Sequence, residues 1–158
     1  MSIHAYIDEV RGSVEKRSPK MPEHQATVYA IEHVVSRYLP SQVIATKDAY
    51  AWLDRVCETE GWNTPVVDRI RSTKWAGVAD EKRSIIGISG SSTTVLTLAH
   101  ELAHIVCGER GHNECWRHAF VNIVRDHISI QHASLLHTLY ERFQLQSGQW
   151  RLTDASRV

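Results

Sequence analysis

The first well-patterned stretch of the chain repeats its apolar positions at three- and four-residue steps. Between Glu23 and Leu39 these positions are Val28, Ile31, Val35 and Tyr38, and Pro22 stands where a first helical turn tolerates a missing amide. The pattern predicts a helix that stops before Pro40. A second helical stripe runs from Thr46 to Glu60 through Ala49, Trp52, Leu53 and Val56, with Gly61 as its exit. The period then changes: "PVVDRI", "WAGVA" and "SIIGIS" are short β-branched runs split by polar turn residues. They predict a small antiparallel sheet of about three strands. Helical spacing returns after them, with Ser91 or Ser92 as the cap of a helix from about Thr93 to Cys107 and Gly108 as a left-handed exit. Two further helices are expected over roughly 113–128 and 131–145.

The sum is an α+β fold of about five helices and about three strands, in a single domain over residues 21–146. Residues 1–20 are polar, charged and weakly periodic, ending in "KRSPKMP", and predict an N-terminal tail. Residues 147–158 predict a polar C-terminal tail. With 158 residues, of which 42% are hydrophobic, the chain suffices for one core and not for two.

Charge changes this picture little. Lys and Arg together number 18, as do Asp and Glu, so the balance favours neither nucleic acid nor an anionic membrane. The N-terminus lacks the apolar core of a secretory leader, and no apolar run approaches the ~18 residues of a membrane span, so a cytoplasmic protein is expected. Three cysteines, Cys57, Cys107 and Cys115, form no small-scaffold framework and predict reduced, buried thiols.

The candidate chemistry sits in residues 97–118, "TLAHELAHIVCGERGHNECWRH", which hold four of the ten histidines and two of the three cysteines. On a helix, His100 and His104 lie ~40° apart around the axis and ~6 Å along it, so two imidazoles can reach one ion. Glu101 stands beside the first, close enough to act on a metal-bound water. The arrangement is H-E-x-x-H, two zinc ligands and a general base.

An open catalytic zinc site takes three protein ligands, which makes the third the useful test. His112 falls on the stripe of Trp116, Phe120 and Ile123, one turn before Trp116, whereas His118 is ~200° from Trp116 and should face away. His112 is therefore the expected third ligand. Two other readings stay open: the histidines are solvent-facing polar residues, or Cys107 and Cys115 supply soft ligands. His118, His127, His132 and His137 are expected to be structural or surface residues.

At these residues the sequence resembles the SprT-like and WLM-type zincins, in which HExxH is followed by a short link and a Gly-His-Gly-Pro-x-Phe-like segment bearing the third histidine. In "GHNECW", Gly111 and His112 match, Trp116 stands for the aromatic, and Asn113, Glu114 and Cys115 depart from the pattern. The chain is more similar still to a metallohydrolase family of mycobacteria and their phages, which shares "VYAIE"-like residues in the first helix, strands in the middle and HELAH after them, over roughly residues 25–126.

The resemblance implies a minimal zincin-like domain holding Zn²⁺ on His100, His104 and His112, with Glu101 as catalytic base and a peptide or protein as substrate. It further implies that the strand before the metal helix lies at the sheet edge and pairs with the substrate. "SIIGIS", residues 84–89, occupies that place, making Ile86, Gly87 and Ile88 the candidate substrate-binding residues. A DNA-associated protease would need a basic surface around Arg69, Arg71, Lys74, Arg83, Arg110 and Arg117. A non-catalytic binding module would hold a closed, structural zinc.

Overall fold

The computed structural model describes residues 1–150. Six helices and five short strands follow in the order α1 (Ile3–Arg17), α2 (Glu23–Tyr38), β1 (Val43–Ala45), α3 (Ala49–Glu60), β2 (Val66–Ile70), β3 (Gly77–Asp80), β4 (Ile85–Ser89), β5 (Ser92–Thr94), α4 (Val95–Cys107), α5 (Glu114–His127) and α6 (Ile130–Arg142). The class is α+β, as expected. Among the described residues, no helix is long and apolar enough to cross a membrane.

The segment expected to be an N-terminal tail is helix α1. Ser2 caps it by accepting a hydrogen bond from the Ala5 amide. Ile3, Ile7, Val10 and Val14 recur at four-, three- and four-residue steps, which is one helical face, and that face packs against α2 with Val10 fully buried. Asp8, Glu9 and Arg11 between these four residues, with further charges just after them, lower the mean hydropathy and mask the stripe. Tyr38 adds a tie by donating to Glu9, and its ring meets Tyr6 edge-on.

The sheet is mixed rather than antiparallel. Its order is β2–β4–β3, with β2 parallel to β4 and β3 antiparallel to it; β1 and β5 form a separate antiparallel pair. The "SIIGIS" strand is therefore central and hydrogen-bonded on both sides, so Ile86, Gly87 and Ile88 present no free edge to a substrate. Their burial explains the position: Ile86 and Ile88 are wholly inaccessible, and a strand covered in this way belongs inside a sheet. The free edges belong to β2 and β3, and β3, built from "GVAD", is the one beside Glu101.

Helix α4 begins two to three residues later than the serines suggest, because Ser92–Thr94 pairs with β1. Thr94 caps it instead, accepting from the Thr97 amide at 3.1 Å. Its far end leaves through Gly108 at φ +65°, a left-handed conformation that costs a glycine little. The core lies where α4 meets α2, α5 and the sheet, around Leu98, Leu102, Trp116, Phe120 and Ile31.

The cysteines also depart from expectation. Cys57 is a buried free thiol, but Cys107 and Cys115 are joined in a disulfide with Cα atoms 6.1 Å apart. The turn at Gly108 folds α5 back onto α4, which brings the last residue of one helix beside the second residue of the next.

Candidate metal centre

Helix α4 is buried along nearly its whole length, and its two histidines reach the same small space from successive turns. His100 and His104 are each 7% exposed, and His112 is 4% exposed. His112 is not helical, as its spacing from Trp116 suggested; it sits in the α4–α5 turn, one residue before the Asn113 cap. The turn delivers it to the pair all the same. Its carbonyl accepts from the buried Arg117 guanidinium, which also donates to the Gln146 carbonyl at 2.7 Å.

Three Nε2 atoms converge. That of His100 lies 3.3 Å from that of His104 and 3.1 Å from that of His112. In a tetrahedral site with zinc–nitrogen bonds of about 2.05 Å, nitrogen ligands stand about 3.3 Å apart. The three histidines therefore lie close enough to hold one metal ion. Among the described residues they form the one such group of three.

The opposite ring nitrogens fix the tautomers. His100 Nδ1–H donates to Glu32 Oε1 at 2.7 Å, and His104 Nδ1–H donates to the Glu109 carbonyl at 2.7 Å. Each bond turns an Nε2 toward the common point. Nitrogen lone pairs facing one another in a dry space repel unless a proton or a metal cation joins them. Burial and the neighbouring His100 charge push His104 down to about 4, and burial with the charges of His100 and His104 takes His112 to about 2. Both are thus neutral, the form that ligates a metal. At His100 burial also opposes the charged form, but the charge and hydrogen bond of Glu32 outweigh it and raise the pKa above the usual histidine value.

Glu101 is 7% exposed and stands beside the triad without joining it. Burial raises its carboxyl above the usual carboxylate range, against the His100 charge and the Ala79 amide, which favour the ionised form. The close approach of β3 depends on Gly77: a Cβ there would stand 3.1 Å from Glu101 Cγ, 3.2 Å from its Oε1 and 3.2 Å from Thr97 Cγ2.

An opening of about 320 Å³ leads to the three histidines and Glu101. β3 forms one wall, and Gln25, Tyr29, Trp75 and Arg110 lie around it. Tyr29 stacks on His100 and meets His112 edge-on at 5.1 Å. On the other side Trp116 donates its indole N–H to the His100 carbonyl at 3.2 Å, and its ring lies 4.4 Å from that of His112.

Four of the seven other histidines do structural work. His118 pairs with the Ser147 carbonyl at 3.0 Å and with Asn122, His127 with Glu60 at 2.8 Å, His132 with the Leu39 carbonyl at 2.7 Å, and His137 with Ser147 Oγ at 2.8 Å. The cysteines are not ligands, being bonded to each other or, for Cys57, buried in the core. Of the six basic residues considered for DNA, Arg69 and Arg71 line one surface hollow together. Arg117 is buried, Arg110 pairs with Glu81, Arg83 pairs with Asp80, and Lys74 lies over the Trp75 ring.

Glu32 is the site residue that sequence reasoning missed. The signal was present: with Val28, Ile31 and Val35 it completes a stripe at helical steps, which places a carboxylate on the buried face of α2. The chain matches no protein-family model, no curated protein and no solved structure, so the reading of the site rests on its own geometry.

Proposed function

We propose that the protein is a zinc-dependent hydrolase acting on peptide bonds. The observation that carries this reading is the convergence of three imidazoles, with the Nε2 atoms of His104 and His112 3.3 and 3.1 Å from that of His100 and all three ligand atoms within 4.8 Å of one another, beside a carboxylate that stands outside the triad. His100, His104 and His112 would hold the ion. Zinc bound there supplies a Lewis acid, which lowers the pKa of a water toward ~7 and polarises a carbonyl. Glu101 takes a proton from the attacking water and returns it to the leaving amine, a task suited to a buried carboxylate whose pKa is raised.

The β3 edge supports a peptide as substrate. The Ser89 amide bonds the Ala76 carbonyl at 3.0 Å, so Ala76, Val78 and Asp80 direct their backbone groups to β4. Gly77 and Ala79 direct theirs outward, beside Glu101. Because the Ala79 amide is engaged by the Glu101 carboxylate, an extended peptide would pair with Gly77 and the Ala79 carbonyl and bring its own carbonyl past the metal, with main-chain bonds supplying affinity and no particular side chain required. This edge takes the role first expected of "SIIGIS".

A structural zinc in a binding module is the alternative, favoured by the 4 to 7% exposure of the three histidines and Glu101. Zinc analysis with peptide-cleavage assays on the wild type and Glu101→Gln separates the two. For the hydrolase, both proteins bind one zinc and cleavage falls at least ~10²-fold in the variant. Equal cleavage by both would remove Glu101 from the chemistry, and zinc without any cleavage across a peptide library would favour the module.

A further inference from the structure

We infer that Cys107–Cys115 is a redox-modification site that sets how firmly the metal centre holds its third ligand. The inference rests on the zinc reading above. Cys107 ends α4 three residues after His104, and Cys115 is the second residue of α5. Their disulfide closes a loop across a separation of eight residues, and His112 lies inside that loop.

The three ligands are not held alike. His100 and His104 are fixed by the backbone bonds of one buried helix, and their rings by Glu32 and the Glu109 carbonyl. His112 depends on the turn. From Gly108 to Asn113 every residue is exposed except His112 itself, so little packing holds this segment in place. Arg117 grips the His112 carbonyl, and the disulfide joins the two ends. A covalent closure removes conformations the open loop would otherwise visit, and here those are conformations that withdraw His112 from the metal.

The bond is also reachable. Cys115 is exposed and Cys107 half-buried, whereas Cys57 is fully buried in the core. A dithiol reductant attacks Cys115 Sγ through one thiolate, forming a mixed disulfide and releasing Cys107 as the thiolate. Its second thiol then displaces Cys115 and closes a disulfide within the reductant. Two electrons and two protons pass to the cysteines, and the reductant is oxidised by the same amount. No metal changes its oxidation state.

The test compares the oxidised wild type, the wild type reduced by a dithiol that is then removed, and the double variant C107S/C115S. Each is also made on a His112→Ala background. Thiol titration in denaturant should find one free thiol in the oxidised form, from Cys57, and three after reduction. Zinc competition against a chromophoric chelator should show roughly ten- to a hundredfold weaker binding once the bond is broken. Amide exchange over residues 108–113 should accelerate in the metal-free protein. With His112 replaced, the redox state should no longer alter zinc affinity, an outcome that general destabilisation would not produce. Three thiols in protein isolated without reductant, equal or tighter zinc binding in the opened forms, or an undiminished redox effect on the His112→Ala background would each overturn the inference. No zinc in any form would sink the metal reading itself, whereas zinc bound equally in all redox forms sinks only the role of the disulfide.

Discussion

Removing the Glu32 carboxylate should loosen zinc without touching a ligand. Glu32 Oε1 lies 2.7 Å from His100 Nδ1, and the two side chains are 16% and 8% exposed, so solvent screens the interaction little. A hydrogen bond from a buried imidazole to a carboxylate contributes about 1.5–3 kcal/mol. In the metal-bound state that energy goes into holding the ring in the right tautomer and into making Nε2 more basic. At about 1.4 kcal/mol per decade, Glu32→Ala should weaken zinc by roughly ten- to a hundredfold. Glu32→Gln keeps an oxygen that accepts the same N–H but removes the charge, and should fall between the variant and the wild type. Chelator competition at pH 7.5 measures the affinity, with circular dichroism of each metal-free protein as the control for folding. Zinc affinity within twofold of wild type in a folded Glu32→Ala protein would refute the argument, because His100 would then be oriented by its helix alone.

Gly77→Ala should spare zinc and damage hydrolysis: the added methyl lies 3.1 to 3.2 Å from Glu101 and Thr97, so the carboxylate has to shift by a few tenths of an ångström. Steady-state cleavage with zinc content measured alongside checks this, and wild-type turnover would show that Glu101 tolerates the displacement. Zinc affinity should also fall gently with acidification. His104 and His112, near 4 and 2, are already neutral at pH 5 to 6, while His100 is raised above the usual histidine value and keeps its proton there. Below the pKa of His100, zinc must therefore displace about one proton, and log affinity should drop about one unit per pH unit until pH approaches 4. Calorimetry in buffers of different ionisation enthalpy counts the protons released, and three between pH 5 and 6 would show histidines that behave as free ones.

Where the relevant physics is local, the sequence sufficed. A helix turns by ~100° and rises ~1.5 Å per residue, so the spacing of His100, Glu101 and His104 already placed two imidazoles and a carboxylate together. Gly108 marked the helix exit for the same reason, and the β-branched runs marked their three strands. The Ile3, Ile7, Val10 and Val14 stripe was equally legible, though diluted by the charges around it.

Strand order was another matter. It depends on which strand is covered on both faces, and that is settled by helices distant in the chain; hence β4 became central and β3 took the edge beside Glu101. Glu32 and His100 are 68 residues apart, and no local period links them. Likewise Cys107 and Cys115 meet because the turn at Gly108 folds one helix against the other, and His112 enters the site by that turn rather than from a helix face. Periodicity specifies directions around a single element, whereas the supporting carboxylate, the free strand edge and the disulfide depend on how separate elements pack, which the burial of one core determines.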